Sequence, residues 1–326
     1  MLGKSNDSAT NNDDDPRPGR IAVVGSCVMD LVVRVKRMPR PAETVFGTDF
    51  GMYLGGKGFN QAVAARRAGA SVSFIGLLGG DSFGERFLQA FQHEGIEHAG
   101  VRIAAREGTG VALPMVDDAG QNSIVVVPRA NWALGAAEVV RAAEAIRTAD
   151  IVMLQFEAAT AASVAAAHIA QESGVPVMWN PAPAAEPPSE LFELTSILVA
   201  NELEATGLTG IDVRDQESGL QAALAFRDFG IHTAVVTLGG LGVVAVGEQG
   251  ALSLPAYHVR VVDSTGAGDA FCGALAAKLA ESSPLDEALR FANAAGALAV
   301  TKSGAEPSLA TRNAIEHLLA TGQAES

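Results

Sequence analysis

The amino-acid sequence predicts an α/β protein in which helices cover a mostly parallel β-sheet, and three observations support this fold class. Short apolar runs alternate with helix-period segments along most of the chain, which is typical of strand–helix–strand units. Two glycine-rich stretches each lead into an alanine-rich helix start. Apolar residues make up 48% of the 326 residues, which is enough to bury a large core. With no internal repeat and no long linker, we expect one main domain.

The first part of the chain predicts a buried strand and a small second sheet. Residues 21–24 are a continuous apolar run, as expected for a strand that is buried on both faces. Residues 31–53 have a strand-like pattern with prolines and no helix period. Residues 109–115 and 123–127 flank Asp117-Asp118-Ala119-Gly120, which is a hairpin signal. These segments predict a small sheet that is inserted around the first helix.

The main sheet is predicted from strands that alternate with helices. Asp81 is a candidate cap for a helix whose Phe83, Phe87 and Phe91 form one apolar stripe. The expected strands are residues 72–75, 151–154, 175–178, 197–199 and 234–237. Polar residues recur at the ends of these strands, namely Gln155, Glu157, Asn180, Asn201, Glu204 and Thr237. Each alone is typical of a cap or turn, but together they favour a ligand site at the carboxyl edge of the sheet.

The stretch from Asp263 to Asp269, with sequence DSTGAGD, is the strongest candidate site. Residues 257–262 before it alternate like a strand, and apolar residues after it recur at helix period. Glycines at a helix start give an anion such as phosphate access to unpaired N–H groups. Asp269 could then act as a base that takes a proton from an attacking hydroxyl. The alternative is that Asp269 only complements the helix dipole.

Two other interpretations of the glycine-rich turns fit less well. A dinucleotide fingerprint beginning at Gly266 would need its third glycine at Phe271, and a P-loop ending at Gly58 would need Ser or Thr there. The helix start at Gly55-Gly56-Lys57-Gly58 instead offers polar groups that suit sugar hydroxyls, or small residues that allow close helix packing. Asp30 lies shortly after the first strand, where α/β sheets bind their ligands.

Composition excludes several classes of protein. The net charge of −14 argues against a general nucleic-acid binder. No apolar run reaches membrane-spanning length and the N-terminus has no signal-peptide core, so we expect no membrane partner. Cys27 and Cys272 make no disulfide framework, and the histidines show no metal-ligand spacing with them, which fits a cytoplasmic protein. We expect residues 1–19 to be a disordered leader and residues 20–320 to form the folded domain.

Several motifs together resemble the ribokinase-like carbohydrate kinase family. They are Gly55-Gly56-Lys57-Gly58-x-Asn60-Gln61-Ala62, Asn180-Pro181-Ala182-Pro183, Asn201-Glu202-x-Glu204, Thr237-Leu238-Gly239-x-x-Gly242 and the stretch from Asp263 to Asp269. Five motifs in order, between about residues 20 and 310, make the likeness specific. It implies a three-layer α/β/α ribokinase-like fold with a β-sheet lid over the sugar, formed by segments of about 31–54 and 108–128. It also implies transfer of the γ-phosphoryl group of ATP to a sugar CH₂OH, with ribose or a related furanose as the expected sugar.

The resemblance assigns roles to individual residues. Asp269 would be the base, and the N–H groups of Gly266, Ala267 and Gly268 would hold the developing charge. The expected sugar contacts are Asp30, Gly56, Lys57, Asn60 and Glu157. Asn201 and Glu204 would organise Mg²⁺, largely through water, while Thr237, Gly239, Gly242 and Asn293 would line the nucleotide site. An activating monovalent cation, expected to be K⁺, would lie in loops containing Asp263, Thr265, Ala299, Lys302, Gly304 and Ser308. Two lids would cover each other in a homodimer.

Two positions depart from the family pattern near the sugar. Val28 stands where ribose kinases of the family have Asn in Gly-Ser-x-Asn-x-Asp, and Arg129 replaces Gly in Pro-Gly-Ala-Asn. These changes leave three alternatives open. They are a nucleoside kinase, with Val28 in an apolar slot, a kinase acting on a sugar phosphate through Arg129, and a sugar sensor that has lost catalysis. The intact Asp269 argues against the sensor.

Overall fold

The computed structural model describes residues 17–183 and 186–324. Its strands are β1 (Arg20–Val24), β2 (Val28–Val35), β3 (Gly47–Gly55), β4 (Ser71–Gly79), β5 (Glu97–Ala104), β6 (Gly110–Val116), β7 (Asn122–Val127), β8 (Ile151–Leu154), β9 (Val177–Trp179), β10 (Ile197–Asn201), β11 (Thr233–Thr237), β12 (Val243–Gly247) and β13 (Gly250–Leu254). Its α-helices are α1 (Lys57–Arg67), α2 (Ser82–Glu94), α3 (Ala130–Ala133), α4 (Ala136–Arg141), α5 (Ala143–Arg147), α6 (Thr160–Glu172), α7 (Ser189–Glu193), α8 (Glu202–Thr209), α9 (Gln216–Asp228), α10 (Ala267–Ala280), α11 (Leu285–Ala299) and α12 (Arg312–Thr321).

The larger sheet has the order β13-β12-β11-β10-β9-β8-β1-β4-β5 among the described residues. Strands β11 to β5 of this order are parallel, and β12 and β13 add an antiparallel hairpin at one edge. Side chains of β1 alternate between two cores, with Ile21 and Val23 in one and Ala22 and Val24 in the other. Because both faces of β1 are covered from Ile21 to Val24, these four residues are all apolar. The predicted three-layer α/β/α fold is confirmed.

The smaller sheet, which we call the lid, has the order β3-β2-β6-β7. β2 pairs with β3 in antiparallel fashion and with β6 in parallel, and β6 and β7 form the predicted hairpin. The hairpin turn is closed by hydrogen bonds from Gly120 N–H to Asp117 O at 2.9 Å and from Ala119 N–H to the Asp117 carboxylate at 2.9 Å. The lid leaves the core at β2, whose first residues Val28 and Met29 are buried.

The strand predicted for residues 257–262 is wrong. This segment follows β13 as irregular backbone, and Val262 N–H donates to Val300 O at 2.7 Å. Val261 and Val262 are 66% and 56% exposed, so their alternating pattern does not reflect a buried face. The turn before α10 is therefore attached to the end of α11, rather than to a neighbouring strand.

Helices α1 and α10 pack against each other at Gly273. A Cβ at this position would lie 2.5 Å from Ala64 Cβ and 2.6 Å from Ala65 N. Only glycine allows the two helices to approach this closely. The contact brings the start of α10 beside the first turn of α1, and both starts border the site.

The remaining predictions concern the chain ends and the membrane. Residues 1–16 of the predicted disordered leader lie outside the described residues, so this prediction stays untested. The first strand begins at Arg20 and the last helix ends at Thr321. Among the described residues, no helix combines the length and the apolar character that crossing a membrane requires.

Candidate active site

Asp269 lies in the first turn of α10 and is only 6% exposed. Its carboxylate accepts a hydrogen bond from Asn60 Nδ2 to Oδ2 at 3.0 Å and one from Gln61 Nε2 to Oδ1 at 3.1 Å. Both donors are on α1, 208 or more residues earlier in the chain. The predicted base is thus held by two amides at the junction of the two helices.

The glycines before Asp269 shape the start of α10. Gly266 adopts φ 80°, and a Cβ there would lie 3.0 Å from Ala305 Cα. At Gly268 a Cβ would meet no atom within 4 Å, so space is open beside this helix start. The first N–H groups of a helix have no carbonyl from a preceding turn, and they attract anions. Asp269 therefore lies next to a helix start that could bind an anion.

Glu157 is fixed at the start of α1. Its Oε2 accepts hydrogen bonds from Ser26 Oγ and from Lys57 N–H, each at 2.7 Å. Ser26 is fully buried, and its Oγ also accepts the Gly58 N–H at 3.2 Å. The loops after β1 and β8 thereby meet the helix that carries Asn60, which brings three of the predicted sugar residues together.

Asp30 is the one carboxylate of the site that lacks a donor. It lies on β2 and accepts no hydrogen bond from any described residue. Burial, followed by repulsion from Glu157 and Asp269, raises the pKa of Asp30 to about 7. Gly55 on β3 leaves room for the Asp30 carboxylate, because a Cβ at position 55 would lie 2.5 Å from Asp30 Oδ2. Asp30 is therefore a partly buried acceptor that lies near the other acids and has no hydrogen-bond donor among the described residues.

Lys57 provides the positive charge among these acids. Burial disfavours its charged form, but the nearby carboxylates of Asp269, Glu157 and Glu204 outweigh burial and raise the pKa of Lys57. Its ammonium group stays protonated at neutral pH and offsets part of the negative charge. Gly56 precedes it with φ 91°, and a Cβ there would lie 2.8 Å from Val28 N.

Asn201 and Glu204 form a capping box at the start of α8. Asn201 Oδ1 accepts the Glu204 N–H at 2.9 Å, and Glu204 accepts hydrogen bonds from Asn201 N–H and Nδ2, each at 3.0 Å. Burial raises the pKa of Glu204. Glu204 is linked to the base through two side chains, because Asn180 connects it to Gln61, which donates to Asp269. Among the described residues, no group of three or more His, Cys, Asp or Glu side chains is arranged to hold a metal ion.

The four residues predicted to line a nucleotide site lie around two chain segments. Thr237 ends β11, and Gly239 and Gly242 belong to the turn after it, with φ 48° and 99°. A Cβ at Gly242 would lie 2.7 Å from Ala256 N, so this turn packs against the segment after β13. Asn293 on α11 donates to Pro255 O in that same segment at 2.8 Å. The structure thus brings these residues to a common region of the fold.

Asp263 links the two loops that were predicted to hold a monovalent cation. Its Oδ1 accepts the Thr265 N–H at 3.0 Å and hydroxyl at 2.7 Å, and its Oδ2 accepts the Gly304 N–H at 2.9 Å. Although burial acts in the opposite direction, these hydrogen bonds lower the pKa of Asp263. The loop from 299 to 308 is closed by Lys302 N–H to Ala299 O at 3.4 Å and by Ser308 Oγ to Ala305 O at 2.7 Å. The six predicted residues therefore belong to two loops that touch through Asp263.

The two positions that depart from the family pattern have different surroundings. Val28 is 4% exposed and lies two residues from Asp30 on β2, so both side chains face the same side. Arg129 lies where β7 leaves the lid, with φ 48°. Its guanidinium donates to Thr109 O at 3.1 Å and lies 3.9 Å from the Asp81 carboxylate. These two contacts hold the Arg129 side chain at the base of the lid.

Some residues of the site were not assigned by the sequence. Ser26, which holds Glu157, and Gln61, which holds Asp269, were part of recognised motifs but had no role. Gln155 is predicted only as a polar residue at a strand end, and Asn180 as a strand-end residue within one of the motifs; both hydrogen-bond to Gln61. Their position after adjacent parallel strands was the available signal.

Comparison with known proteins agrees with this geometry. The family model described as pfkB family carbohydrate kinase matches residues 19–312, and the chain belongs to this family. It is therefore a phosphotransferase with an alcohol group as acceptor. The chain is 41% identical over 293 residues to ribokinase from Haemophilus influenzae, covering 90% of this chain and 95% of that protein. It is 37% identical to ribokinase from Mus musculus, covering 88% and 91%. The structure of Arabidopsis thaliana ribokinase complexed with ribose and ATP is similar, with a TM-score of 0.87, 33% identity, and coverage of 93% of this chain and 99% of that chain.

Proposed function

We propose that this protein is an ATP-dependent ribose kinase, which transfers the γ-phosphoryl group of ATP to the CH₂OH group of ribose. The observation that carries the proposal is the buried Asp269 carboxylate at the open start of α10, beside the polar side chains of α1. The ribokinases among the relatives, including one whose structure holds ribose and ATP, support ribose as the acceptor.

Asp269 is the proposed general base. The two amides leave acceptor capacity on each of its oxygens, because each carboxylate oxygen has two lone pairs. An attacking sugar hydroxyl can therefore give its proton to Asp269 as the hydroxyl oxygen forms its bond to phosphorus. The N–H groups of Gly266, Ala267 and Gly268 would stabilise the charge that develops on the phosphoryl oxygens.

The proposed sugar site uses acceptors that the protein does not satisfy. Asp30 has no donor among the described residues, and Asn60 Oδ1 is a buried acceptor without a partner there. Such groups are costly unless a ligand completes them. Sugar hydroxyls are suitable donors to both. Glu157, Lys57 and Gly56 complete this set at the start of α1.

The residues near Glu204 and Asp263 fit the proposed metal ions. Oxygen ligands suit Mg²⁺, which usually retains several waters and takes few protein carboxylates, so Asn201 and Glu204 are sufficient as organisers. When bound, Mg²⁺ supplies positive charge for the phosphates. Asp263 and the carbonyls of the 299–308 loop offer only oxygen atoms, which suits K⁺. Thr237, Gly239, Gly242 and Asn293 are the proposed nucleotide residues.

The lid offers a surface for a second copy of the chain. Phe50, Met52, Leu113, Val125 and Val127 are 42–64% exposed. The strand register places them on the face opposite Asp30, which they share with Met29, Leu31 and Val33. A contiguous apolar face of this kind marks an interaction site, and we propose a homodimer through it. The buried free thiols of Cys27 and Cys272 are compatible with the proposed cytoplasmic location.

The experiment is to measure ADP formation with ribose, other furanoses, nucleosides and sugar phosphates. We expect the highest kcat/KM with ribose. A higher kcat/KM with a nucleoside would contradict the proposal, and the buried Val28 beside Asp30 would then belong to a base-binding slot. Val28→Asn serves as a matched variant: if a ribose hydroxyl faces position 28, the added amide raises kcat/KM for ribose by about five-fold or more, at roughly 1 kcal/mol per hydrogen bond.

A further inference from the structure

Gln61 is a fully buried amide on α1 that hydrogen-bonds in three directions. Its Nε2 donates to Asp269 Oδ1 at 3.1 Å and to Asn180 Oδ1 at 3.0 Å. Its Oε1 accepts a hydrogen bond from Gln155 Nε2 at 2.8 Å. Both hydrogens of the amide are therefore used, and neither contact involves a substrate.

The orientation of this amide is dictated by the carboxylate. An ionised carboxylate only accepts hydrogen bonds, so the NH₂ group of Gln61 must face Asp269. The opposite orientation would place Gln61 Oε1 against Asp269 Oδ1 and leave two acceptors in contact inside the protein. Such an arrangement is costly where water is excluded.

Gln61 and its neighbour Asn60 together hold both oxygens of Asp269. Asn60 binds Oδ2 and Gln61 binds Oδ1, from consecutive residues of one helix. Rotation of the carboxylate about its Cβ–Cγ bond would break at least one of these hydrogen bonds. The free lone pairs of the base therefore have a fixed direction.

Gln61 also connects the base to the neighbouring strand ends. Asn180 follows β9 and donates to Val199 O at 2.9 Å, and its Nδ2 lies 3.5 Å from Glu204 Oε2. The base on α10 is thereby joined through side chains to the capping box of α8. On the other side of Gln61, the chain of side-chain hydrogen bonds ends at Gln155, whose Oε1 has no partner among the described residues.

We infer that Gln61 is a positioning residue, whose amide sets the orientation of the Asp269 carboxylate for proton transfer and joins it to Asn180 beside Glu204. This inference rests on the proposed function, in which Asp269 is the general base. It assigns Gln61 no contact with the sugar or with ATP, so its effect is on kcat rather than on the two KM values.

The test uses two variants of different chemistry, Gln61→Met and Gln61→Glu. Gln61→Met keeps the length of the side chain but removes both donors, and we expect kcat to fall by about 10- to 100-fold while the KM values change less than about threefold. Gln61→Glu keeps the shape but places a second acid beside Asp269. The added negative charge disfavours ionisation of Asp269. The acidic limb of the plot of kcat against pH should therefore move by about one pH unit or more to higher pH.

Gln155→Met is the matched control, because it removes a buried amide that touches Gln61 but not Asp269. We expect it to lower the melting temperature without moving the acidic limb. If both Gln61 variants keep the wild-type kcat and pH profile, or if Gln155→Met moves the limb equally, the inference is wrong. Asp269→Asn is measured in parallel: if it retains wild-type kcat, the proposed function fails, whereas an inactive Asp269→Asn with unaffected Gln61 variants overturns the inference alone.

Discussion

Asp269 in the core and Asp30 in the lid are carboxylates of the same site, yet the protein treats them differently. Asp269 accepts two amide hydrogen bonds, whereas Asp30 accepts none from a described residue and has a pKa raised to about 7. The same contrast holds for apolar groups: residues 21–24 of β1 and all of β8 are buried, whereas every residue of β7 is exposed. The acid at the start of α10 is thus held by protein donors, whereas Asp30 and the exposed apolar residues of the lid have no such partners among the described residues.

The largest expected effect is on the core side of this comparison. Asp269→Asn keeps the shape of the side chain but removes the acceptor of the hydroxyl proton. We expect kcat to fall by about 10²- to 10⁴-fold. The KM for ATP should change little. Steady-state kinetics with ribose and MgATP measure both values, and a wild-type kcat would exclude Asp269 as the base.

On the lid side, Asp30→Asn should lower activity with ribose while raising the stability of the unliganded protein. The charge-assisted hydrogen bonds to the sugar are weakened, so kcat/KM for ribose should fall by about 10- to 100-fold. The substitution also removes a partly buried carboxylate that lacks a hydrogen-bond donor among the described residues, so the unliganded variant should melt at least about 3 °C higher at pH 8. Thermal melts and kinetics on the same preparation test this. A variant that loses both activity and stability would show that Asp30 has protein partners.

The third prediction concerns pH, since Asp30 changes its charge near neutrality. In the free enzyme, Asp30 is protonated below its pKa of about 7 and accepts sugar hydroxyls poorly. We therefore expect kcat/KM for ribose to fall as pH decreases through about 7, by up to tenfold per unit. A raised carboxyl pKa contributes stability that is fully present below its unfolded value near 4 and is lost as pH rises through about 7. Asp30→Asn should abolish both dependences, and retention of either would assign it to another group.

The smallest effect on activity is expected at the outer face of the lid. Val125→Lys places a charge at the proposed contact between two copies, so the solution mass should shift from dimer to monomer at micromolar concentration. Val140→Lys on α4 is a matched control, because Val140 is similarly exposed, at 59% against 64%, and lies outside the lid. Light scattering gives the mass. A wild-type protein that is already monomeric would rule out this interface. For both variants, we expect kcat to change less than about fivefold.

Much of the fold was predictable because local patterns carry it. The apolar run of β1, the hairpin at residues 117–120 and the glycine-rich start of α10 were all identified from the sequence. The strand predicted for residues 257–262 failed, because alternation alone does not distinguish a paired strand from an exposed segment. The role of Gln61 could not be predicted, since its contacts join residues 94 to 208 positions away in the sequence. The raised pKa of Asp30 likewise depends on distant Glu157 and Asp269.

The contact at Gly273 has a consequence for how this enzyme can change over evolution. With a glycine at the crossing, α1 and α10 pack closely, which sets the distance between the proposed sugar-binding start of one helix and the proposed reactive start of the other. A displacement of 1 Å between reacting groups can cost about 100-fold in rate. Replacements in the lid leave that spacing unchanged, so new acceptor sugars can be sampled while the chemistry continues. A single methyl group at position 273 would separate the helices and disturb the reaction for every acceptor alike.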